Sequence, residues 1–198
     1  MNKEIAKTNF WTWFSVHKTE LEAFIVDENR DYTIYDELTE ELHKFDELLF
    51  AEITIAEDGK YILIITPDGI NDGIEPTREI VAIAPQFDNW NIVRFRQPMN
   101  EVQLNYDGLE YEAKDIQILY QLDKSEGKAH LQVYIRNMKK NEKKYKALAF
   151  LYMDHILGEF NTITKVGHID FIHLDEDKSI DDSVSLLELR KLIEDKLY

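Results

Sequence analysis

Apolar residues recur at helical spacing near the start of the chain. Phe10, Phe14, Leu21 and Phe24/Ile25 mark one stripe, which predicts an amphipathic helix over 9–25. Trp11 and Trp13 fall off that stripe. Asp27–Asp31 is a polar break, and Leu38, Leu42, Phe45 and Leu49 then align on one face of a second helix. The other face of that helix is almost wholly acidic. Two helices joined this closely form an antiparallel hairpin in most proteins.

The period then shortens to two. Ala51, Ile53 and Ile55 alternate with polar residues, Asp58-Gly59 is a turn signal, and Tyr61–Ile65 is a continuous apolar run. These read as a β-hairpin with a more buried second strand. Pro67-Asp68-Gly69 ends it. Pro76 suits the first turn of a helix carrying Ile80, Val81 and Ala84, which Pro85 stops. Asn91–Arg96 alternates again, with Val93 and Phe95 on one face.

Further alternating runs follow at Val102–Tyr106, before the turn signal Asp107-Gly108, and at Ile116–Leu122 and Leu131–Ile135, joined by the loop Ser125–Lys128. Glu142–Leu157 reads as a long helix with Tyr145, Leu148, Tyr152 and Ile156 inward and Gly158 at its end. His168–Leu174 is a last strand, reached by a short connection. Ser185-Leu186-Leu187-Glu188 is a capping box that opens a C-terminal helix.

Hairpins dominate and no regular βαβ alternation shows. The expected class is α+β, a mostly antiparallel sheet with an N-terminal helical hairpin and C-terminal helices packed on it. No low-complexity linker or repeat divides the 198 residues, which read as one domain; Gln97–Glu101, around Pro98, is the only candidate seam for a two-lobed alternative.

Charge narrows the function. The net charge is −16, which disfavours nucleic acids and anionic membranes as partners. Residues 19–58 hold fourteen acids against Arg30 and Lys44, so a basic protein is the partner this composition fits. One basic run, Lys139–Lys146, stands against the trend; its plain reading is the solvated first turn of a helix. With no cysteine, disulfides, thiolate metal sites and cysteine nucleophiles are excluded. Met1–Glu4 lacks the basic flank and apolar run of a signal peptide, and the longest apolar stretches fall far short of the roughly 20 residues that span a bilayer. The expected location is the cytoplasm.

Candidate chemistry centres on Asp154-His155-Ile156-Leu157-Gly158-Glu159-Phe160. His155 and Glu159 are four apart and share a face if the helix extends that far. With His168 and His173 they offer nitrogen and oxygen ligands, although the spacing matches no zinc pattern. Asp154 and Glu159 would point differently, which fits a paired-carboxylate catalyst poorly. The structural alternative makes Glu159 an ion-pairing residue at a helix end and Gly158 the turn. His17 reads as a partly buried histidine, His43 as a surface one, and His130 as structural. Gly69–Gly73 follows a strand and precedes a helix, but lacks the glycine spacing of a phosphate loop, and Asp68 and Asp72 would repel phosphate. No GxSxG occurs. Trp11, Trp13 and Trp90 would be binding anchors if exposed; closing a core edge is the commoner role.

Three segments together resemble a family of uncharacterised bacterial proteins, a domain of unknown function. They are Phe10-Trp11-Thr12-Trp13-Phe14, Ala84–Trp90, and Asp154–Phe160 with Thr164, Gly167 and Ile169 beyond. The family has no assigned activity, so no catalytic residue carries over from it, and no cofactor is expected. The Leu157-Gly158-Glu159-Phe160 segment is loosely similar to bacterial immunity proteins that neutralise toxins. Two expectations follow. The first is an acidic, non-enzymatic binding protein, immunity-like or accessory in role. The second is a small enzyme or a metal- or ligand-binding domain with a site around His155, Glu159 and His168.

Overall fold

The computed structural model describes residues 2–102, 104–106, 108–139 and 143–198. Asp107 of the second turn signal and 140–142 of the basic run lie outside them. The class is α+β. The chain divides into two compact units, Met1–Phe95 and Arg96–Tyr198.

The first unit opens with α1, Lys3–Val26. It begins six residues before the apolar stripe suggests, because the Asn2 side chain accepts the Glu4 N–H as an N-cap and Ala6 continues the buried face. That face is wider than a four-residue stripe. Ala6, Phe10, Trp11, Phe14, Leu21 and Phe24 are all buried, so Trp11 belongs to the core and not beside it. α2, Thr33–His43, stops sooner than expected. Phe45 and Leu49 are buried from the turns that follow, not from the helix.

β1 (Phe50–Ile55) and β2 (Tyr61–Thr66) form the expected antiparallel hairpin. α3 (Ile74–Ala82) then crosses over, and β3 (Trp90–Arg94) pairs with β2 in parallel. The sheet order is β1-β2-β3. Leu63 and Ile65 of the central strand are fully buried against Leu21, Leu38 and Leu42 of the helical hairpin, which explains the unbroken apolar run in β2.

The second unit starts with a short hairpin, β4 (Leu104–Tyr106) and β5 (Leu109–Tyr111). β6 (Ile116–Asp123) and β7 (Lys128–Arg136) form a longer one. The crossover is α4 (Lys143–Leu157) followed by α5 (Glu159–Lys165), and β8 (Val166–Leu174) pairs with β7 in parallel. α6, Leu186–Lys196, closes the unit behind the capping box, with the Ser185 side chain and Glu188 both in place. Its Leu189 and Ile193 join Ile118, Leu131, Val133, Leu148 and Tyr152 in one core, so the C-terminal helices pack on this sheet.

Each unit therefore holds the same device: a hairpin, a helical crossover, and a third strand parallel to the second. The parallel pairs are absent from the sequence reading because a crossover leaves no mark in local periodicity.

Candidate functional site

The segment 154–160 turns a helix end into a buried ion-pair centre. α4 ends at Leu157, and Gly158 takes φ +83°, a conformation that an L side chain adopts only with strain. A Cβ there would also lie 3.1 Å from Pro98 Cδ. This corner points α5 away from α4 and carries Glu159 inward, where its exposure is 0%. Glu159 and Arg96 then bond reciprocally. The Arg96 N–H donates to Glu159 Oε2 at 3.1 Å, and the Glu159 N–H donates to the Arg96 carbonyl at 3.1 Å. The Arg96 guanidinium lies 3.3 Å from Asp154 Oδ2 and 3.6 Å from Glu159 Oε1. Met99 N–H adds a bond to the His155 carbonyl at 2.6 Å.

Arg96 is the residue the sequence reading missed. Its carboxylate partners lie 58 and 63 positions away, and nothing in the local pattern marks an arginine as buried. The cluster binds the segment around Pro98 to the α4–α5 corner. One guanidinium faces two carboxylates there, and among the described residues no buried side-chain nitrogen or oxygen lacks a hydrogen-bond partner.

His155, Glu159 and His168 are not brought together as ligands. Among the described residues one set of three or more metal-ligating atoms lies within 4.8 Å, and it is Asp123, Glu126 and His130. His168 is 72% exposed at its side chain and pairs with Asp170 at 3.1 Å. Nor does the Asp123 set read as a metal centre. Asp123 Oδ1 already accepts the Ser125 hydroxyl and the N–H groups of Ser125 and Glu126, the bonds of a tight hairpin loop. Those bonds hold the Asp123 carboxyl below its ordinary range, the Ser125 hydroxyl having the largest effect. His130 Nδ1 accepts the His168 N–H at 3.1 Å, which puts the proton of the neutral ring on Nε2 and removes that lone pair. The His130 ring fills the β-bulge opposite Gly167, where a Cβ would come within 2.7 Å of Nδ1.

The tryptophans close the first unit's core. Trp11 is 3% exposed, and its indole N–H donates to the Ile80 carbonyl at 2.9 Å. Trp90 is equally buried and donates to Glu22 Oε1 at 2.8 Å. Trp13 is half-buried and stacks on His17. His43 departs from its surface reading: Nε2 lies 3.0 Å from the Leu49 carbonyl, and the ring packs edge-on against Phe50.

Two concavities among the described residues bear on function. In the second unit a cavity of about 660 Å³ has an apolar floor of Val102, Tyr152, Ile156, Leu186 and Leu187. Ser185, its one aliphatic hydroxyl among the described lining residues, is committed to Glu188 in the capping box. In the first unit a groove of about 540 Å³ lies between the end of α1 and the start of α2. Glu20, Asp27, Asp31 and Glu37 surround Phe24 and Ile34 there, with no lysine or arginine in the lining. Phe24 stacks on Tyr35 at 5.7 Å and meets Tyr32 edge-on, and the Arg30 guanidinium sits 5.7 Å from the same ring. The Thr33 hydroxyl and N–H bind Asp31 and keep its carboxyl below the usual range, so it stays ionised near neutrality.

No family model matches this chain, and neither curated protein sequences nor solved structures show a match to it. Among the described residues no helix is long and apolar enough to cross a membrane.

Proposed function

We propose that this chain is a non-enzymatic interaction protein that docks a basic protein partner on the first unit, at the α1–α2 corner. The observation that carries the reading is the groove in which four carboxylates surround Phe24 and Ile34, with no lysine or arginine in its lining and Arg30 beside the Phe24 ring as the cation nearby. Such an acidic surface steers a positively charged partner. Among the described residues, the His43 and His130 rings, the Glu159 carboxylate and the Ser185 hydroxyl are held in packing and caps, which favours binding over catalysis. A toxin-neutralising or accessory role is compatible with this chemistry.

A dye-labelled nona-arginine peptide titrated into the protein tests it. The variant E20Q/D27N/D31N/E37Q keeps the side-chain shapes and removes the groove's charge. A control, E57Q/E126Q/D177N/D181N, removes as many exposed charges elsewhere. The groove variant should lose roughly tenfold in affinity, about 1.4 kcal/mol, and the control far less. Equal losses in the two variants would refute a localised site, and an affinity indifferent to salt would refute its electrostatic basis.

A further inference from the structure

The outward face of α1 is unlike the rest of this highly charged surface. Opposite its buried stripe, Ile5, Asn9, Thr12, Val16, Thr19, Ala23 and Val26 are all exposed, and none is charged. Their spacing alternates four and three along the whole helix, the seam of a helix–helix contact. At about 100° per residue they fall within an arc of about 100°. Ile5, Val16 and Val26 are 53%, 69% and 63% exposed. The seam is also less polar than its composition. The Thr12 hydroxyl donates to the Thr8 carbonyl at 2.9 Å, and Thr8, at the edge of the face, donates to Glu4 at 3.0 Å. Both hydroxyls are thus spent on the helix's own backbone.

We infer that this face pairs with the same face of a second copy, antiparallel, about a two-fold axis at Val16. The pattern itself names the occupant. Read outward from Val16, the seam meets Thr12 and Thr19 at one step, Asn9 and Ala23 at the next, and Ile5 and Val26 at its two ends. Reversing the helix therefore sets Val16 on itself, Ile5 against Val26 and Thr12 against Thr19, with Asn9 facing the small Ala23, the near-complementarity a two-fold interface needs. A parallel pairing would set the same residues against themselves but gains nothing from this symmetry, and it would align the helix dipoles. The helix is about 36 Å long, so such a contact buries on the order of 500 Å² per copy, at the small end of specific interfaces. The dimer is weak, with a dissociation constant on the order of 10–100 μM. Glu4, Glu20 and Glu22 flank the seam, and each chain carries −16, so screening strengthens the association. That sign is opposite to the one expected for the basic partner, which separates the two by salt although the surfaces share Ala23 and adjoin at Glu20.

The absence of native cysteine makes the test clean. Single-cysteine chains V16C, I5C and V26C are oxidised with diamide at about 100 μM protein, a concentration chosen to populate the dimer. V16C should form a disulfide dimer, and mixed I5C and V26C should cross-link with each other several-fold faster than either does alone. Self-linking of I5C at the mixed rate would overturn the antiparallel arrangement, and a V16C chain that stays monomeric would overturn the pairing. Sedimentation of the unmodified chain gives an independent reading. Its average mass should rise with concentration, more so at about 0.5 M salt than at 0.05 M, and V16E should abolish the rise. A chain that stays monomeric throughout, or associates less at high salt, refutes the proposal.

Discussion

At the scale of single residues, burial decides which charges matter. Glu159 is sealed from solvent with Arg96 and Asp154 as its neighbours. Removing its carboxylate leaves a buried guanidinium with half its compensation and Arg96 N–H without its acceptor. E159A should lose about 3–5 kcal/mol in chemical denaturation. E159Q keeps an acceptor near that N–H and should lose less; equal losses would mean that volume, not charge, holds the corner. His173 acts in the opposite setting, near the surface. The Met138 carbonyl, 2.8 Å from Nδ1, is the larger cause and Asp175 the next of a raised imidazole pKa. A pKa raised by folding stabilises the protein fully below the ordinary histidine value of 6.5, and that contribution disappears as pH climbs through the folded value. H173N should therefore flatten the fall in melting temperature above pH 6.5 and change nothing at alkaline pH, with the imidazole titration followed by NMR. These two residues also show what a sequence can disclose about a site. Glu159 was visible because a glycine and a helix end adjoin it. Arg96 was invisible because its partners are distant in sequence. His168 looked like a ligand only because strand geometry, which turns it to solvent, is not written in residue spacing.

At the scale of elements, the legible features were those with a local cause. The capping box of α6, the Asp58-Gly59 turn and the alternation of β6 and β7 follow from near neighbours, and the structure repeats them. Helix α5 was missed because its seven residues carry two β-branched threonines and an isoleucine, a strand-like composition. What makes it helical is the corner before it: Gly158 redirects the chain, its carbonyl accepts the Thr162 N–H at 3.0 Å, and buried Glu159 anchors the first turn. G158A would strain that corner and press on Pro98, for about 1–2 kcal/mol. The bulge between β7 and β8 gives a sharper test. G167A drives a methyl group into the His130 ring, whose Nδ1 must then release the His168 N–H. The cost should be roughly 1–3 kcal/mol as overpacking. In H130A the ring is absent, and the same glycine substitution should be nearly neutral. A cycle of the four proteins that came out additive would show that the contact is not what requires glycine.

At the scale of the whole molecule, two separate cores organise the chain. One gathers Phe10, Trp11, Leu63 and Ile80 with their neighbours in the first unit, the other Ile118, Leu131, Tyr152 and Leu189 in the second, and no residue belongs to both. All three tryptophans lie in the first unit, two of them buried, while helices and strands of both units contribute to far-ultraviolet circular dichroism. This division turns a spectroscopic accident into a measurement. Leu189 is fully buried where α6 meets the second sheet, and L189A should cost about 2–5 kcal/mol by leaving a cavity. If each core folds as its own cooperative unit, the dichroism transition of L189A splits, with its lower phase at reduced denaturant. The tryptophan fluorescence midpoint stays where the parent chain has it. W11F, which empties part of the first core and leaves Ile80's carbonyl without the indole donor, should do the reverse and shift fluorescence first. Were L189A to move both signals by the same amount, the chain would unfold as one body. The boundary near Arg96 would then be a feature of geometry without an energetic counterpart.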